Sequence, residues 1–404
     1  MSGLVEKIKD IEKEISRTQI NKATMSHLCS LRAKLARYRT ELLQPPKGGS
    51  SAGEGFDVEK VGDARVALIG FPSVGKSTIL STFTSTKSET ASYEFTTLTC
   101  IPGVIHHKDC RIQLLDLPGI IEGASEGKGR GRQVIGVARS ADLVLIVVDA
   151  GSGKADRQKE LLEFELERVG IRLNQTPPNV YFKRKAGGGV SISATCRLEK
   201  INEAAVQQIL HEYKIHNAEV LFREDCTVDQ FIDIVEGNRK YVRCLYIYHK
   251  IDMSSMEEVR RVSALPDSMA LSCRSRLNLD LFLDKVWDYL GIVRVYTKPR
   301  GKKPDFGDPL VLTQGRHGIT VESACKQVHR SILLGFDYAM VWGTSVKHTP
   351  QRVGLAHALE DEDVIQIVKK KNADKGLNDP NNAKKGPEGM SRNQIKKTKK
   401  PLKS

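Results

Sequence analysis

The first 44 residues carry two stripes of apolar residues at helical spacing. The first stripe recurs at intervals of 4, 3 and 4 and the second at 3, 4, 3 and 4, so each forms one face of a helix. The stripes consist of Leu4, Ile8, Ile11 and Ile15, and of Leu28, Leu31, Leu35, Tyr38 and Leu42. We predict a helical hairpin over residues 1–45, for which packing on its own chain is favoured over a helix-turn-helix that reads nucleic acid. The Pro, Gly and Ser residues that follow predict a linker over residues 46–62.

From residue 63 the pattern changes to short apolar runs separated by helical segments. Residues 65–69, 143–148 and 244–248 are continuous apolar runs, as in parallel strands that are covered on both faces. Two further strands joined by a turn precede residue 118, and a helix over residues 277–290 is predicted to end at Gly291. This alternation indicates a doubly wound α/β sheet over residues 63–291.

One interval in this domain is longer than the fold requires. The apolar runs at 143–148 and 244–248 are 95 residues apart, whereas a strand–helix–strand crossover takes about 30 residues. The surplus contains a predicted strand at 190–193 and a predicted helix at 204–213. We therefore expect a small inserted α+β subdomain over about residues 170–238.

After Gly291 the order of elements changes to strand, strand, helix, strand, strand. The strands are predicted at residues 292–296, 309–313, 338–342 and 364–368, and the helix is predicted to begin after Thr320. Five elements in so short a segment favour a compact ubiquitin-like module over residues 292–369.

Charge and cysteine content narrow the class of protein. The net charge is +14, and residues 369–404 contribute 11 Lys and 1 Arg against 2 Asp and 1 Glu, a net charge of +9. We expect a disordered basic tail over residues 370–404 that could bind RNA phosphates without sequence preference. The eight cysteines form no CxxC pair, and neither a signal peptide nor a membrane span is expected. These features predict a cytoplasmic protein with reduced thiols and no membrane partner.

The phosphate-binding pattern G-x-x-x-x-G-K-[ST] lies between the first apolar run and a helical segment, which is the context that the motif needs. We expect Lys76 to contact the β- and γ-phosphates of a nucleotide and Ser77 to bind Mg²⁺. The predicted loop and the first residue after it are Gly70, Phe71, Pro72, Ser73, Val74, Gly75, Lys76, Ser77 and Thr78.

Two later motifs predict the rest of the metal and γ-phosphate site. A polar loop after the first helix contains a threonine, Thr97, that can complete the Mg²⁺ shell and contact the γ-phosphate. Asp116 ends a strand beside the metal, and the N–H of Gly119 can bond the γ-phosphate. The predicted residues are Phe95, Thr96, Thr97 and Leu98 in the first motif, and Asp116, Leu117, Pro118, Gly119 and Ile120 in the second.

Two more motifs, again at strand ends, predict the base specificity. His249 and Lys250 precede Asp252, whose carboxylate can accept both N1–H and N2–H of guanine, which adenine does not offer. Ser272 and Cys273 end the last strand, where a backbone N–H can meet guanine O6. Asp252 argues against a P-loop ATPase. A ribosome- or RNA-binding scaffold in which the nucleotide is mainly structural remains the alternative to a GTPase switch.

With the glycine-rich residues 120–131, these motifs resemble the developmentally regulated GTP-binding (DRG) proteins of the Obg superfamily, and most nearly their second paralogue. Residues 300–306, 341–345 and 351–354 are similar to the TGS domain of that family. The resemblance extends to about Lys370 and implies a P-loop GTPase domain with an insertion, a helical hairpin before it and a β-grasp TGS domain after it.

For function, the resemblance implies a cytoplasmic GTPase that binds GTP or GDP with Mg²⁺ and hydrolyses GTP slowly, with Lys76, Thr97 and Gly119 in catalytic roles. It also implies association with ribosomes or RNA, as a monomer or a heterodimer with a regulatory partner protein of the family.

The chain departs from the general GTPase pattern at three points. His249 stands where the guanine motif has Asn, which contacts guanine N7 and ties the base loop to the phosphate loop. Ile120 stands where Ras-type GTPases carry the Gln that orients the attacking water, a feature that the DRG family shares. Some related GTPases with an aliphatic residue here use K⁺ held partly by a phosphate-loop Asn, and Ser73 is the corresponding residue in this chain. The third departure is the tail beyond Lys370, which lies outside the family pattern.

Overall fold

The computed structural model describes residues 2–21, 24–43, 62–84, 101–117, 131–314 and 318–370. The chain divides into two compact units, residues 1–290 and 291–404. Within the described residues, no helix combines the length and the apolar character that crossing a membrane would require.

The N-terminal hairpin consists of helices α1 (Ser2–Arg17) and α2 (Met25–Leu43). Its apolar stripes face inward, and Leu28, Leu31 and Leu42 are buried. Cys29 and Ala33 of α2 share a hydrophobic core with residues of the inserted subdomain. The hairpin therefore packs on its own chain.

The first unit is built on a seven-stranded sheet in which β1 (Ala64–Gly70) is central. The remaining strands of this sheet are β2 (Ile101–His107), β3 (Cys110–Asp116), β4 (Leu143–Asp149), β5 (Ile171–Leu173), β9 (Lys240–His249) and β10 (Ser268–Leu271). The strand order is β10-β9-β4-β1-β3-β2, with β5 pairing to β9 and only β2 running antiparallel to its neighbour among these pairs. Because β1 is flanked by β3 on one side and β4 on the other, the connections diverge at its carboxyl end, which is where such folds bind ligands.

Helices cover this sheet, which explains the continuous apolar runs of the sequence. All residues of β1 and the first six of β4 are buried. The helices are α3 (Lys76–Phe83), α4 (Gly131–Ser140), α5 (Ala155–Arg168), α8 (Met256–Ala264) and α9 (Leu279–Leu290). Helix α9 is followed by Gly291 at φ +57°, a left-handed conformation that glycine adopts without strain.

The insertion forms its own three-stranded sheet with two helices. Its strands are β6 (Val180–Arg184), β7 (Val190–Ala194) and β8 (Ala218–Phe222), in the order β6-β8-β7, and its helices are α6 (Glu203–Glu212) and α7 (Val228–Glu236). Phe182, Val220 and Phe222 pack with the helices in one core, whereas Tyr181 on the opposite face is exposed. The alternation gives the sheet one buried and one exposed face.

The second unit is a five-stranded mixed sheet with two short helices. Its elements are β11 (Ile292–Thr297), β12 (Asp305–Thr313), α10 (Val321–Val328), α11 (Arg330–Leu334), β13 (Phe336–Trp342), β14 (Gln351–Val353) and β15 (Asp363–Lys369). The order β12-β11-β15-β13-β14, with β11 and β15 parallel, is that of a β-grasp fold. The ubiquitin-like prediction is confirmed, although α11 and β14 were not predicted because neither is long enough to show a period.

Candidate functional site

The predicted phosphate loop joins β1 to α3 as a tight curve that two glycines permit. A Cβ at Gly70 would lie 2.4 Å from the carbonyl oxygen of Val147, so no side chain fits there. Gly75 has φ +99° and Ser73 has φ +63°, which turns the backbone in the left-handed sense. Gly75 is the N-cap of α3, so the free N–H groups of the first helical turn face the loop.

Lys76 is buried within this loop, and its ammonium group is held by loop carbonyls. Its Nζ donates to the backbone oxygens of Gly70 at 2.8 Å and Phe71 at 2.9 Å. Burial lowers the pKa of Lys76, and the nearby Asp116 carboxylate opposes that effect. The Lys76 ammonium is thus held within the loop, where its positive charge favours anionic ligands such as phosphate.

Ser77 and Asp116 meet at the end of β3. The Ser77 hydroxyl donates to Asp116 Oδ2 at 2.6 Å, and strand pairing places Asp116 beside Leu68 of β1. The other carboxylate oxygen, Oδ1, is buried and lacks a hydrogen-bond partner within the described ranges. A hydroxyl and a carboxylate with an unused oxygen are the hard oxygen ligands that Mg²⁺ prefers, so these residues fit the predicted metal site.

The base loop at the end of β9 is tied to the phosphate loop at two points. Lys250 Nζ donates to the backbone oxygen of Ser73 at 2.8 Å and to Asp149 Oδ2 at 2.7 Å. His249 Nδ1 bonds the backbone oxygen of Val74 at 2.9 Å. His249 therefore makes the link between the base loop and the phosphate loop that Asn makes in the general guanine motif.

Asp252 is oriented by the loop after β10. Its Oδ1 accepts a hydrogen bond from the Ser272 hydroxyl at 2.6 Å, and this bond is the main reason that the pKa of Asp252 lies below its usual value. Ser272 and Cys273 are buried, whereas Asp252 is exposed. An ionised, exposed and fixed carboxylate is suited to accept two N–H groups of a base.

One residue of the site was missed by sequence reasoning. Asp149, at the end of β4, pairs with Lys250 and lies opposite His249 in the strand register. The sequence pattern that could have identified Asp149 is an acidic residue at the carboxyl end of an apolar run, which is the pattern that identified Asp116.

The structure brings together most of the predicted residues but does not describe all of them. Leu117 is buried, and its N–H donates to the backbone oxygen of Leu68 at 3.2 Å. Pro72 in the phosphate loop and Thr78 in the first turn of α3 are exposed. Outside the described residues lie Phe95, Thr96, Thr97, Leu98, Pro118, Gly119 and Ile120.

Comparison with known families divides the chain in the same order as the fold. A family profile described as "50S ribosome-binding GTPase" matches residues 65–183. The C-terminal region of the same domain matches residues 187–292, and a TGS domain profile matches residues 293–369. A solved structure of Era from Aquifex aeolicus is 17% identical, covering 70% of this chain and 72% of that chain, with a TM-score of 0.31.

Curated relatives match over almost the whole chain. Developmentally-regulated G-protein 1 of Arabidopsis thaliana is 61% identical over 93% of each protein. Developmentally-regulated GTP-binding protein 2 of Homo sapiens is 62% identical over 91% of this chain and all of its own length, and the protein 1 homolog of Dictyostelium discoideum is 55% identical over the same shares. The chain therefore belongs to the developmentally regulated GTP-binding protein family and is a GTP-binding protein with a GTPase domain and a TGS domain.

Proposed function

We propose that this protein is a Mg²⁺-dependent GTPase that hydrolyses GTP to GDP and phosphate. The observation that carries the proposal is the convergence of Lys76, the Ser77–Asp116 pair and the Asp252–Ser272 pair at the carboxyl ends of β1, β3, β9 and β10. Lys76 and the Ser77–Asp116 pair suit phosphates and a metal, and the Asp252–Ser272 pair suits guanine. Groups for both ends of one nucleotide therefore lie at one edge of the sheet.

The roles divide by chemistry. Lys76 would exchange its bonds to the loop carbonyls for bonds to the β- and γ-phosphates, where its charge is better used. Ser77 and Asp116, with Thr97, would hold Mg²⁺, which supplies charge stabilisation to the phosphates during transfer. Gly119 would contact the γ-phosphate and release when it leaves, which is the basis of a switch.

Three groups would bind the guanine base. Asp252 would accept N1–H and N2–H of guanine, and backbone N–H groups near Ser272 and Cys273 would meet O6. Lys250 fixes the distance between this end and the phosphate loop through its bond to Ser73.

The targeting part of the proposal concerns translation. We propose that the protein acts on ribosomes or ribosomal RNA in the cytoplasm, together with a regulatory partner protein. Support comes from the "50S ribosome-binding GTPase" description of the matching profile and from the +9 charge of residues 369–404, which suits RNA phosphates.

Turnover of GTP by the full chain, with and without ribosomes, tests the proposal. Lys76→Ala and Ser77→Ala should each lower nucleotide binding or turnover at least tenfold, because each removes a charge-stabilising contact worth several kcal/mol in such sites. Ser81→Ala is the matched control, because the Ser81 hydroxyl lies on the same helix and donates to the backbone oxygen of Thr78 at 3.0 Å.

Two results would contradict the GTPase assignment. One is parent-like turnover in both the Lys76 and the Ser77 variants. The other is tight GTP binding without turnover under any condition, ribosomes included, which would favour a scaffold in which the nucleotide is structural.

A further inference from the structure

The imidazole of His249 lies in a space that only a glycine leaves open. The residue ends β9 and is buried, with 4% of its surface exposed. A Cβ at Gly75 would lie 2.4 Å from His249 Nδ1 and 2.5 Å from Cε1. The ring is therefore in direct contact with the phosphate loop, next to the residue that precedes Lys76.

The hydrogen bond of His249 defines its neutral tautomer. The Val74 carbonyl oxygen can only accept, so Nδ1 carries the hydrogen of the 2.9 Å bond. In the neutral ring Nε2 then holds a lone pair. Nε2 is buried and has no hydrogen-bond partner among the residues that the structure describes. A second proton on the ring would therefore be added at Nε2, without breaking the bond to Val74.

Charged groups surround the ring on three elements. Burial lowers the pKa of His249 below its usual value, and the Val74 bond opposes this. The Lys250 ammonium lowers the pKa further, whereas Asp149 and Asp252 raise it. On the phosphate-loop side, the charged residue nearest in sequence to Val74 and Gly75, which contact the ring, is Lys76. In the absence of nucleotide the ring is therefore neutral at pH 7.

We propose that guanine nucleotide binding is coupled to the uptake of a proton by His249, an inference that rests on the proposed nucleotide site. Phosphate groups in the loop bring negative charges to the backbone that the ring touches. Such charges favour the imidazolium over the neutral ring, so the pKa of His249 rises on binding. By linkage, the nucleotide then binds more tightly when the ring is already protonated.

The sign of the pH dependence follows because the pKa of His249 is higher with nucleotide bound than without it. Above the pKa of the bound form the ring is neutral in both states, and affinity does not depend on it. As pH falls through the window between the bound and free pKa values, affinity rises, and below the free pKa it is constant again. A rise of one pKa unit on binding corresponds to about a tenfold gain in affinity across the window. An Asn at this position would not titrate at all.

The test measures binding of GDP with saturating Mg²⁺ between pH 5.5 and 8.0. Calorimetry in two buffers of different ionisation enthalpy gives the number of protons taken up. Relative to His249→Asn, the parent chain should gain up to about tenfold in GDP affinity between pH 8.0 and pH 5.5, and it should take up more protons on binding. His249→Asn should keep only the pH dependence of the nucleotide itself, whose terminal phosphate titrates at about pH 6. His106→Asn, an exposed histidine on β2, is the matched control and should behave like the parent.

The outcomes separate this inference from the proposed function. Tight GDP binding with the same pH dependence in the parent and His249→Asn would overturn the coupling and leave the nucleotide site intact. The absence of GDP binding at every pH would overturn both. A second measurement does not depend on the variant: nuclear magnetic resonance of the His249 ring in the parent should show a higher pKa with GDP than without it, and an unchanged pKa would overturn the proposal.

Discussion

At the residue scale, we expect the choice of base to depend on the Asp252 carboxylate, whose Oδ1 accepts a hydrogen bond from the Ser272 hydroxyl. Replacing Asp252 with Asn keeps the shape but turns an N–H donor toward the donors of guanine. The remaining amide oxygen can still accept one N–H, so one of the two hydrogen bonds would be lost, at a cost of about 1–3 kcal/mol when its partner is left unpaired. We expect GTP affinity to fall by about tenfold.

Competition binding with GTP and ATP measures this effect. The parent should select GTP strongly, and Asp252→Asn should lose most of that preference. Asp280→Asn, an exposed carboxylate in the first turn of α9, serves as the control. Equal competition by ATP and GTP in the parent would show that Asp252 does not read the base.

A second prediction at this scale concerns the attacking water. Because Ile120 cannot orient it, we hypothesise that K⁺ near Ser73 supplies part of the missing charge stabilisation. Ser73 has φ +63°, and its backbone oxygen is already engaged by Lys250 at 2.8 Å, which leaves its exposed side chain as the candidate ligand.

GTP turnover should accordingly be faster in KCl than in NaCl at equal ionic strength, and Ser73→Ala should reduce the difference. Ser81→Ala should leave it unchanged. Identical rates in the two salts would remove the hypothesis and point to a group supplied by the ribosome or a partner.

At the scale of elements, Asp233 on α7 joins the insertion to the GTPase domain. Its carboxylate accepts from Arg172 Nε at 2.8 Å, Arg172 Nη2 at 3.1 Å and Arg239 Nε at 3.1 Å, and its side chain is only 3% exposed. Asp233→Ala would leave two largely buried guanidinium groups without their shared partner. We expect the free energy of unfolding to fall by about 3–5 kcal/mol.

Urea unfolding followed by circular dichroism measures this loss. Asp229→Ala on the same helix is the matched control, because Asp229 and its partner Arg32 are 55% and 37% exposed and such pairs contribute at most about 1 kcal/mol. Equal effects of the two substitutions would mean that burial of the Asp233 pair does not determine its contribution.

The same elements show what the sequence could and could not predict. Apolar residues that recur about every 2 residues in strands and about every 3.6 residues in helices identified elements with one buried face, such as α2, β7 and α6. Three-residue β14 and five-residue α11 carry no measurable period. The packing of α2 on the insertion depends on the core that Cys29 and Ala33 share with residues far away in the chain, and no local pattern predicts such long-range contacts.

The site was predictable for a related reason. Its residues lie at strand ends, so the order of apolar runs placed Asp116 and Asp252 at one edge of the sheet. The bond from His249 to Val74 was not predictable, because it depends on the ring filling the space beside Gly75 rather than on spacing in the sequence.

At the scale of the whole molecule, the prediction concerns the basic tail. The backbone N–H of Lys370 donates to the Gly335 oxygen at 2.9 Å, and β15 extends to Lys369. A truncation should therefore follow Lys370, which keeps the β-grasp sheet intact. It removes residues 371–404, with 9 Lys and 1 Arg against 2 Asp and 1 Glu.

Truncation should leave GTP turnover by the isolated protein unchanged, because the proposed nucleotide site is formed by residues before Gly291. It should weaken co-sedimentation with ribosomes or RNA most strongly at low salt, where the release of counterions from phosphates contributes most. A tail in which every Lys and Arg is replaced by Gln is the matched control for length, and it should behave like the truncation. Unchanged co-sedimentation at every salt concentration would assign targeting to the folded domains, and loss of basal turnover would mean that the catalytic unit extends into the tail.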